Sequence, residues 1–309
     1  MFNQTVPDWL IGVWKRLSLE EDGHYDTTTQ VIWIQTSSGF ADIRIPAGRA
    51  AFITGDRTRQ EKKHKLPDQH YLNSNRLENS ADLENSLASL SPQQASLLCQ
   101  QEGFAGITQF ANGVCEWHRA LDYAPFTGEA DQGTLHWEGD TLIEIGPEGA
   151  YKEEWQRMAT GPTATMTATN GAAWEKWLVV CGDYFIYMCD RRQHLPANTT
   201  LKDLLSFLPN GKLDLASQQY LNCEVSLGRI QPGNVAWEIQ QSTLPWKEGD
   251  RLWNLEDWNR EDRNPKDFSI DKARNQIIQT DGDRQTIWNV QEWGNLQQLL
   301  SPQLAIALS

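Results

Sequence analysis

No run in this chain approaches the roughly 18 consecutive apolar residues that a membrane-spanning helix requires. The N-terminal stretch MFNQTVPDWLIGVWKRL has no basic leader, long apolar core or small-residue cleavage site, so no secretory signal and no membrane association are expected. Cysteine is scarce. The five residues, Cys99, Cys115, Cys181, Cys189 and Cys223, are odd in number and lie at no metal-like spacing. They exclude a disulfide framework and predict reduced thiols in a cytoplasmic protein. Histidine is equally sparse. None of the six forms an i,i+4 pair or sits with cysteine at zinc spacing, so no metal is expected. No glycine-rich phosphate loop, Gly-x-Ser-x-Gly elbow or His-Glu-x-x-His helix occurs, so the sequence assigns no catalytic residue and no cofactor. Basic residues are the minority, 27 against 41 acidic, for a net charge of −14. That balance repels nucleic acid and anionic lipid at long range. Arg57, Arg59, Lys62, Lys63 and Lys65 interrupt it and are read as a solvated loop.

What the chain has in excess is tryptophan. Fourteen indoles in 309 residues is far above the share of a residue that is not among the common ones. Each is large, and each wants a partner for its N–H when buried. Either they plug a β-barrel or they stack on a ligand.

Short alternating runs separated by Gly, Asp and Asn turns predict a mainly β protein, with no βαβ rhythm. The clearest stretch is Asp131 to Met158, three strand-like runs divided by Glu-Gly-Asp and Gly-Pro-Glu-Gly turns. Its last run puts Tyr151, Glu153, Trp155 and Arg157 on one face and Lys152, Glu154 and Gln156 on the other. The second set is an exterior, and the first is a mixed aromatic and charged interior. Trp-x-Arg recurs at Trp14/Arg16, Trp117/Arg119 and Trp155/Arg157, and a spacing of two places each pair on one strand face. Phe40, Asp42 and Arg44 alternate in the same way. Buried arginines need anions, for which Asp42, Glu144 and Glu153 are the candidates. His118 and His136 fall on the faces opposite their tryptophan neighbours, as exterior histidines, and Cys115 is expected to be a buried, inert thiol.

About eight strands precede Met158, enough to close a small barrel. The polar tract 56–90 interrupts them, followed by a short helix opened by Ser91-Pro92 and stopped by Gly103, so that 56–103 forms a long insertion. Thr160–Ala173, rich in Thr, Ala and Gly, is read as a junction, with an extended strand passing between the units as the alternative. The predicted organisation is two tandem antiparallel barrels, 1–160 and 161–309. The second has short helices at Thr200–Leu208 and toward the C-terminus. Two fragments repeat weakly between the halves: Cys115-Glu116 with Cys223-Glu224, and LIEIGPEGAYKEEW with IIQTDGDRQTIWNVQEW.

Gly12-Val13-Trp14 on the first strand, with Arg157 on the last strand of the first unit, resembles the lipocalin-type barrel over about residues 8–158. The resemblance implies that Trp14, Trp155 and Arg157 close one end and that a ligand occupies the other. The run Gly139-Asp140, Glu144, Gly146, Tyr151, Glu153, Trp155 is similar to the Hri-type fungal family of tandem lipocalin-like barrels, which implies a fold and no activity. The expected function is that of an intracellular, non-catalytic binding protein. Arg16, Arg44 and Arg119 would face an anionic group beside Asp42 and Glu153, while Trp33, Trp117 and Tyr151 stack on an aromatic or apolar body. Two alternatives stand beside it. One is a scaffold with plugged barrels that meets a protein partner through 56–90 or through 246–262, with Trp246, Trp253 and Trp258. The other is an isomerase- or lyase-type barrel enzyme using Asp or Glu with Arg.

Overall fold

The computed structural model describes residues 6–52, 90–125, 130–169, 175–191, 193–196, 199–201, 203, 215–230, 236–254, 268–281, 284–294 and 296. It is mainly β, with two antiparallel sheets and two short α-helices among the described residues.

The first sheet comprises β1 (Gly12–Glu21), β2 (His24–Asp26), β3 (Gln30–Gln35), β4 (Phe40–Ile45), β5 (Glu102–Ala111), β6 (Val114–Asp122), β7 (Gln132–Glu138), β8 (Thr141–Ile145) and β9 (Tyr151–Ala159). β9 returns to pair with β1 from Val13↔Ala159 to Glu21↔Tyr151, so eight strands close a barrel and β2 hangs from β1 as a short flap. Helix α1 (Pro92–Leu98) precedes β5. Ser91 caps it in a reciprocal capping box with Gln94, and Pro92 opens its first turn, as the sequence predicts. β5 starts at Glu102, and Gly103, expected to stop the helix, enters the ladder opposite Ile43.

The second sheet comprises β10 (Thr163–Thr169), β11 (Glu175–Cys181), β12 (Tyr184–Cys189), β13 (Glu224–Ile230), β14 (Ala236–Ser242), β15 (Arg251–Asn254), β16 (Phe268–Asp271), β17 (Gln276–Asp281) and β18 (Arg284–Glu292). Helix α2 (Leu215–Leu221) lies before β13. The stretch read as a junction contains β10, which pairs with both β11 and β18 at the centre of this sheet. Threonine-rich and uncharged composition here marks a strand covered on both faces, since every residue from Thr163 to Met166 is buried.

Both sheets are meanders whose last strand comes back to the first, β9 on β1 and β18 on β10. The two sheets differ in closure. Among the described residues β15 and β16 are not paired, so the second sheet is an open half-barrel. Of the two repeated fragments, the strand–turn–strand run fits this symmetry: it forms β8–β9 in one sheet and β17–β18 in the other. The Cys-Glu pair does not fit, because Cys115 lies within β6 and Cys223 precedes β13, the fourth strand of its sheet. The predicted helix at 200–208 and the C-terminal helix lie largely outside the described residues. No described helix is long and apolar enough to cross a membrane.

Three cores result. Trp14, Trp33, Phe40, Phe104, Cys115, Trp117, Leu135, Leu142 and Trp155 fill the first barrel. Phe185, Tyr187, Trp237, Trp253, Trp288 and their neighbours fill the concave side of the half-barrel. The third lies between the sheets. There Ile32, Ile34, Ala41 and Ile43, on the outer faces of β3 and β4, join Trp177, Val179, Ile186, Met188 and Val225 of the second sheet. β3 is therefore buried on both faces from Val31 to Gln35. Gly103 permits the approach: a Cβ there would lie 3.0 Å from Val225 Cγ1. Polar groups pin the seam. Thr36 and Thr165 hydroxyls meet at 2.7 Å, Gln101 Nε2 donates to Thr243 O at 3.0 Å, and buried Arg49 pairs with Glu248 at 2.5 Å.

Because the middle core belongs to both sheets, the two units are expected to unfold in a single calorimetric transition. Ile43→Ala should lower it by about 2–5 kcal/mol, and residues 1–160 expressed alone should aggregate. Two separated transitions with only one moved by Ile43→Ala would contradict this.

Candidate functional site

Period-two alternation carries every predicted site residue into the first barrel. Trp33 is the hub. Its ring centroid lies 6.0 Å from Trp14, 5.8 Å from Trp117 and 5.5 Å from Trp155, the first stacked and the others edge-on. At one end Arg157 lies over the Trp14 ring at 4.7 Å and donates to Trp9 O, while Trp14 Nε1 donates to Leu10 O at 2.8 Å. Trp155, expected beside this closure, donates its indole N–H to Glu144 Oε2 at 3.1 Å.

The other interior arginines are held by carboxylates. Arg16 reaches Glu153 at 2.6 Å and Asp26 of the β2 flap at 3.1 Å. Arg44 donates through Nε to Asp42 at 3.1 Å and lies 3.7 Å from Glu153. Arg119 bridges Asp122 at 2.9 Å and Asp131 at 2.7 Å. Phe104 lies between two of these guanidiniums, with Arg119 3.6 Å and Arg44 5.1 Å from its ring centroid. The three arginines predicted to face an anion are thus already paired within the barrel.

Glu144 is the exception among the acids. It accepts from the Tyr151 hydroxyl at 2.8 Å and from Trp155, both neutral donors. Gly133 makes room for it, since a Cβ there would sit 2.8 Å from Glu144 Cγ. Burial, helped by the negative charge of Glu153, pushes the Glu144 carboxyl up to about 8. Burial also raises Asp42 to about 6 against the opposing pull of Arg44, and raises Asp122 to about 6 against Arg119. The Tyr151 and Cys115 side chains are pushed up by burial too, so Cys115 is an unreactive thiol. His118 and His136 are partly exposed on the outer face, beside Glu116 and Glu138.

These groups surround a pocket walled by Trp33, Phe40, Asp42, Arg44, Phe104, Trp117, Asp131, Glu144 and Trp155. Its void is about 20 Å³, room for one water-sized group. Of the predicted ligand residues, Trp33, Asp42, Arg44 and Trp117 wall it. Behind that wall Arg119 and Tyr151 are partners of the lining Asp131 and Glu144, Glu153 lies 3.7 Å from the lining Arg44, and Arg16 is held by Glu153 and Asp26. Phe104 and Asp131 were missed. Phe104 directly follows Gly103, the expected helix stop, and was assigned no role, although Phe104, Gly106, Thr108 and Phe110 alternate as a strand should. Asp131 lies just before β7, where periodicity gives no signal. Glu144 was named only as an arginine partner, and nothing in its spacing shows that no arginine reaches it.

The predicted partner surfaces fare differently. Residues 56–89 and 255–262, including Trp258, lie outside the described residues. Trp253 is buried against Trp237, 4.8 Å between centroids, and Trp246 packs on the middle core, so neither offers an exposed ring. Among the described residues, no group of three His, Cys, Asp or Glu side chains is placed to hold a metal ion.

No protein-family model matches the chain, and no curated protein matches it. Among solved structures it is similar to the crystal structure of uncharacterized protein YLR301w from Saccharomyces cerevisiae. The identity is 11%, the TM-score 0.46, and the match covers 91% of this chain and 97% of the other.

The raised carboxyls set a pH dependence. A group with a folded pKa above its unfolded value holds its proton in the native state after the unfolded chain has released it. Its contribution is full at low pH and is lost as pH rises. With Glu144 near 8 and Asp42 and Asp122 near 6, the urea midpoint should fall between about pH 5 and about pH 8. Glu144→Gln should flatten the upper part of that fall. An unchanged slope in the variant would place the titration elsewhere.

Proposed function

We propose that this chain is a non-catalytic cytoplasmic binding protein with a lipocalin-like first barrel, whose pocket takes part of a small ligand. The observation that carries this reading is the convergence at one opening of three indoles and two phenyl rings with a few fixed polar groups. That is the ordinary composition of a small-molecule site. The paired arginines weigh against a bare anion as the ligand, and the size of the void means that only a small group enters while the ligand body rests at the mouth. The five free thiols, four of them buried, support the reducing compartment.

The filled interior favours a second reading, a plugged scaffold that works through its outer surface. Titration of folded protein with small alcohols, amines and carboxylates, followed by tryptophan emission, separates the two. At least one class should give a saturable change, weakened about three- to tenfold by Trp117→Leu through the loss of aromatic contact. A panel with no saturable change would remove the pocket reading and leave the scaffold.

A further inference from the structure

One wall of the pocket carries a polar group with nothing to bind. Trp33 is 3% exposed, forms part of the wall, and its indole N–H has no acceptor. The equivalent donors of Trp14 and Trp155 are satisfied by Leu10 O and Glu144. A buried donor left unpaired costs about 1–3 kcal/mol, so the void beside Trp33 calls for a hydrogen-bond acceptor.

The remaining walls say what else that group must be. Asp42, Asp131 and Glu144 line the void, and the Asp42 and Asp131 carboxylates keep more lone-pair capacity than their donors use. They call for a donor. A carboxylate or phosphate accepts from Trp33 but offers no proton to these acids, and it adds a charge where Asp42, Asp131 and Glu153 already face Arg16, Arg44 and Arg119. An ammonium donates to the acids but has no lone pair for Trp33. The group must also fit about 20 Å³. A hydroxyl satisfies all three conditions: it is water-sized, accepts once, donates once and carries no charge.

We infer that the first barrel recognises a neutral alcohol, whose hydroxyl enters the void between Trp33 and the Asp42, Asp131 and Glu144 carboxyls while its carbon body rests against Trp117 and Phe104. This rests on the pocket reading above and narrows it. Two sources share the chemistry, an aliphatic alcohol and a sugar, because both present a hydroxyl on an apolar face.

The test is read on wild-type full-length protein labelled with ¹⁵N, where the Trp33 indole N–H is assigned by its loss in Trp33→Phe. The probes are n-hexanol, hexylammonium, hexanoate and methyl glucoside. Hexanol or methyl glucoside should shift the Trp33 N–H signal saturably, and whichever does so identifies the source. Hexylammonium and hexanoate should bind at least about tenfold more weakly, since each leaves a buried group unpaired. Trp33→Phe should weaken the alcohol about three- to tenfold. If hexanoate or hexylammonium binds as tightly as the alcohol, the hydroxyl inference falls and the pocket stands. If no probe moves the Trp33 signal, the void holds only water, and both fall. The four-probe comparison uses wild-type protein throughout, so a variant that folds poorly does not affect it.

Discussion

Burial of the β3–β4 hairpin on both faces is the constraint on which the rest of this molecule depends. A strand of period two sends alternate side chains to opposite sides, and here each side meets a different core. Val31, Trp33 and Gln35 enter the barrel, while Ile32 and Ile34 enter the layer shared with the second sheet. A slip of one residue would put an indole between the sheets and an isoleucine beside Glu144. The register that positions the pocket is therefore held by packing outside the barrel as much as within it. That arrangement explains how a small barrel tolerates six interior charges close together: the scaffold around them is clamped from behind.

Within the barrel, charge and ring play complementary parts. Arg16, Arg44 and Arg119 each have a carboxylate, and Phe104 separates two guanidiniums that would otherwise repel across the mouth. Glu144 is left out of this exchange, held by a phenol and an indole, and stays protonated near neutrality. The barrel thus reaches an internal balance without drawing on solvent ions, and among its unmatched buried donors is the N–H of the ring at the centre of the indole cluster.

Much of this was legible in the chain. Tyr151, Glu153, Trp155 and Arg157 share a face because alternation is a property of the backbone, and the Trp-x-Arg pairs fall inward for the same reason. The Asp42–Arg44 pair was likewise visible as neighbours two apart. Which acid meets which arginine was not legible, because Arg16–Glu153 and Arg119–Asp131 span strands whose register is fixed only on closure. How far each sheet closes was not legible for a related reason. Local turn and strand signals are the same in an open sheet and a closed one, and only the pairing of the terminal strands tells them apart. The threonine-rich β10 was taken for a junction because low charge with small side chains looks alike in a spacer and in a strand buried on both faces.

The indole cluster has an optical consequence. Trp14, Trp117 and Trp155 lie 5.5–6.0 Å from Trp33, closer than the distance over which excited indoles exchange energy and couple their transitions. Absorbed light therefore migrates among Trp14, Trp33, Trp117 and Trp155 before emission, and their dichroic bands belong to the group rather than to any one ring. The barrel behaves as a single composite chromophore, with Trp33 as its junction. A spectroscopic change there records a change in the geometry of the whole interior, even when only one ring is touched.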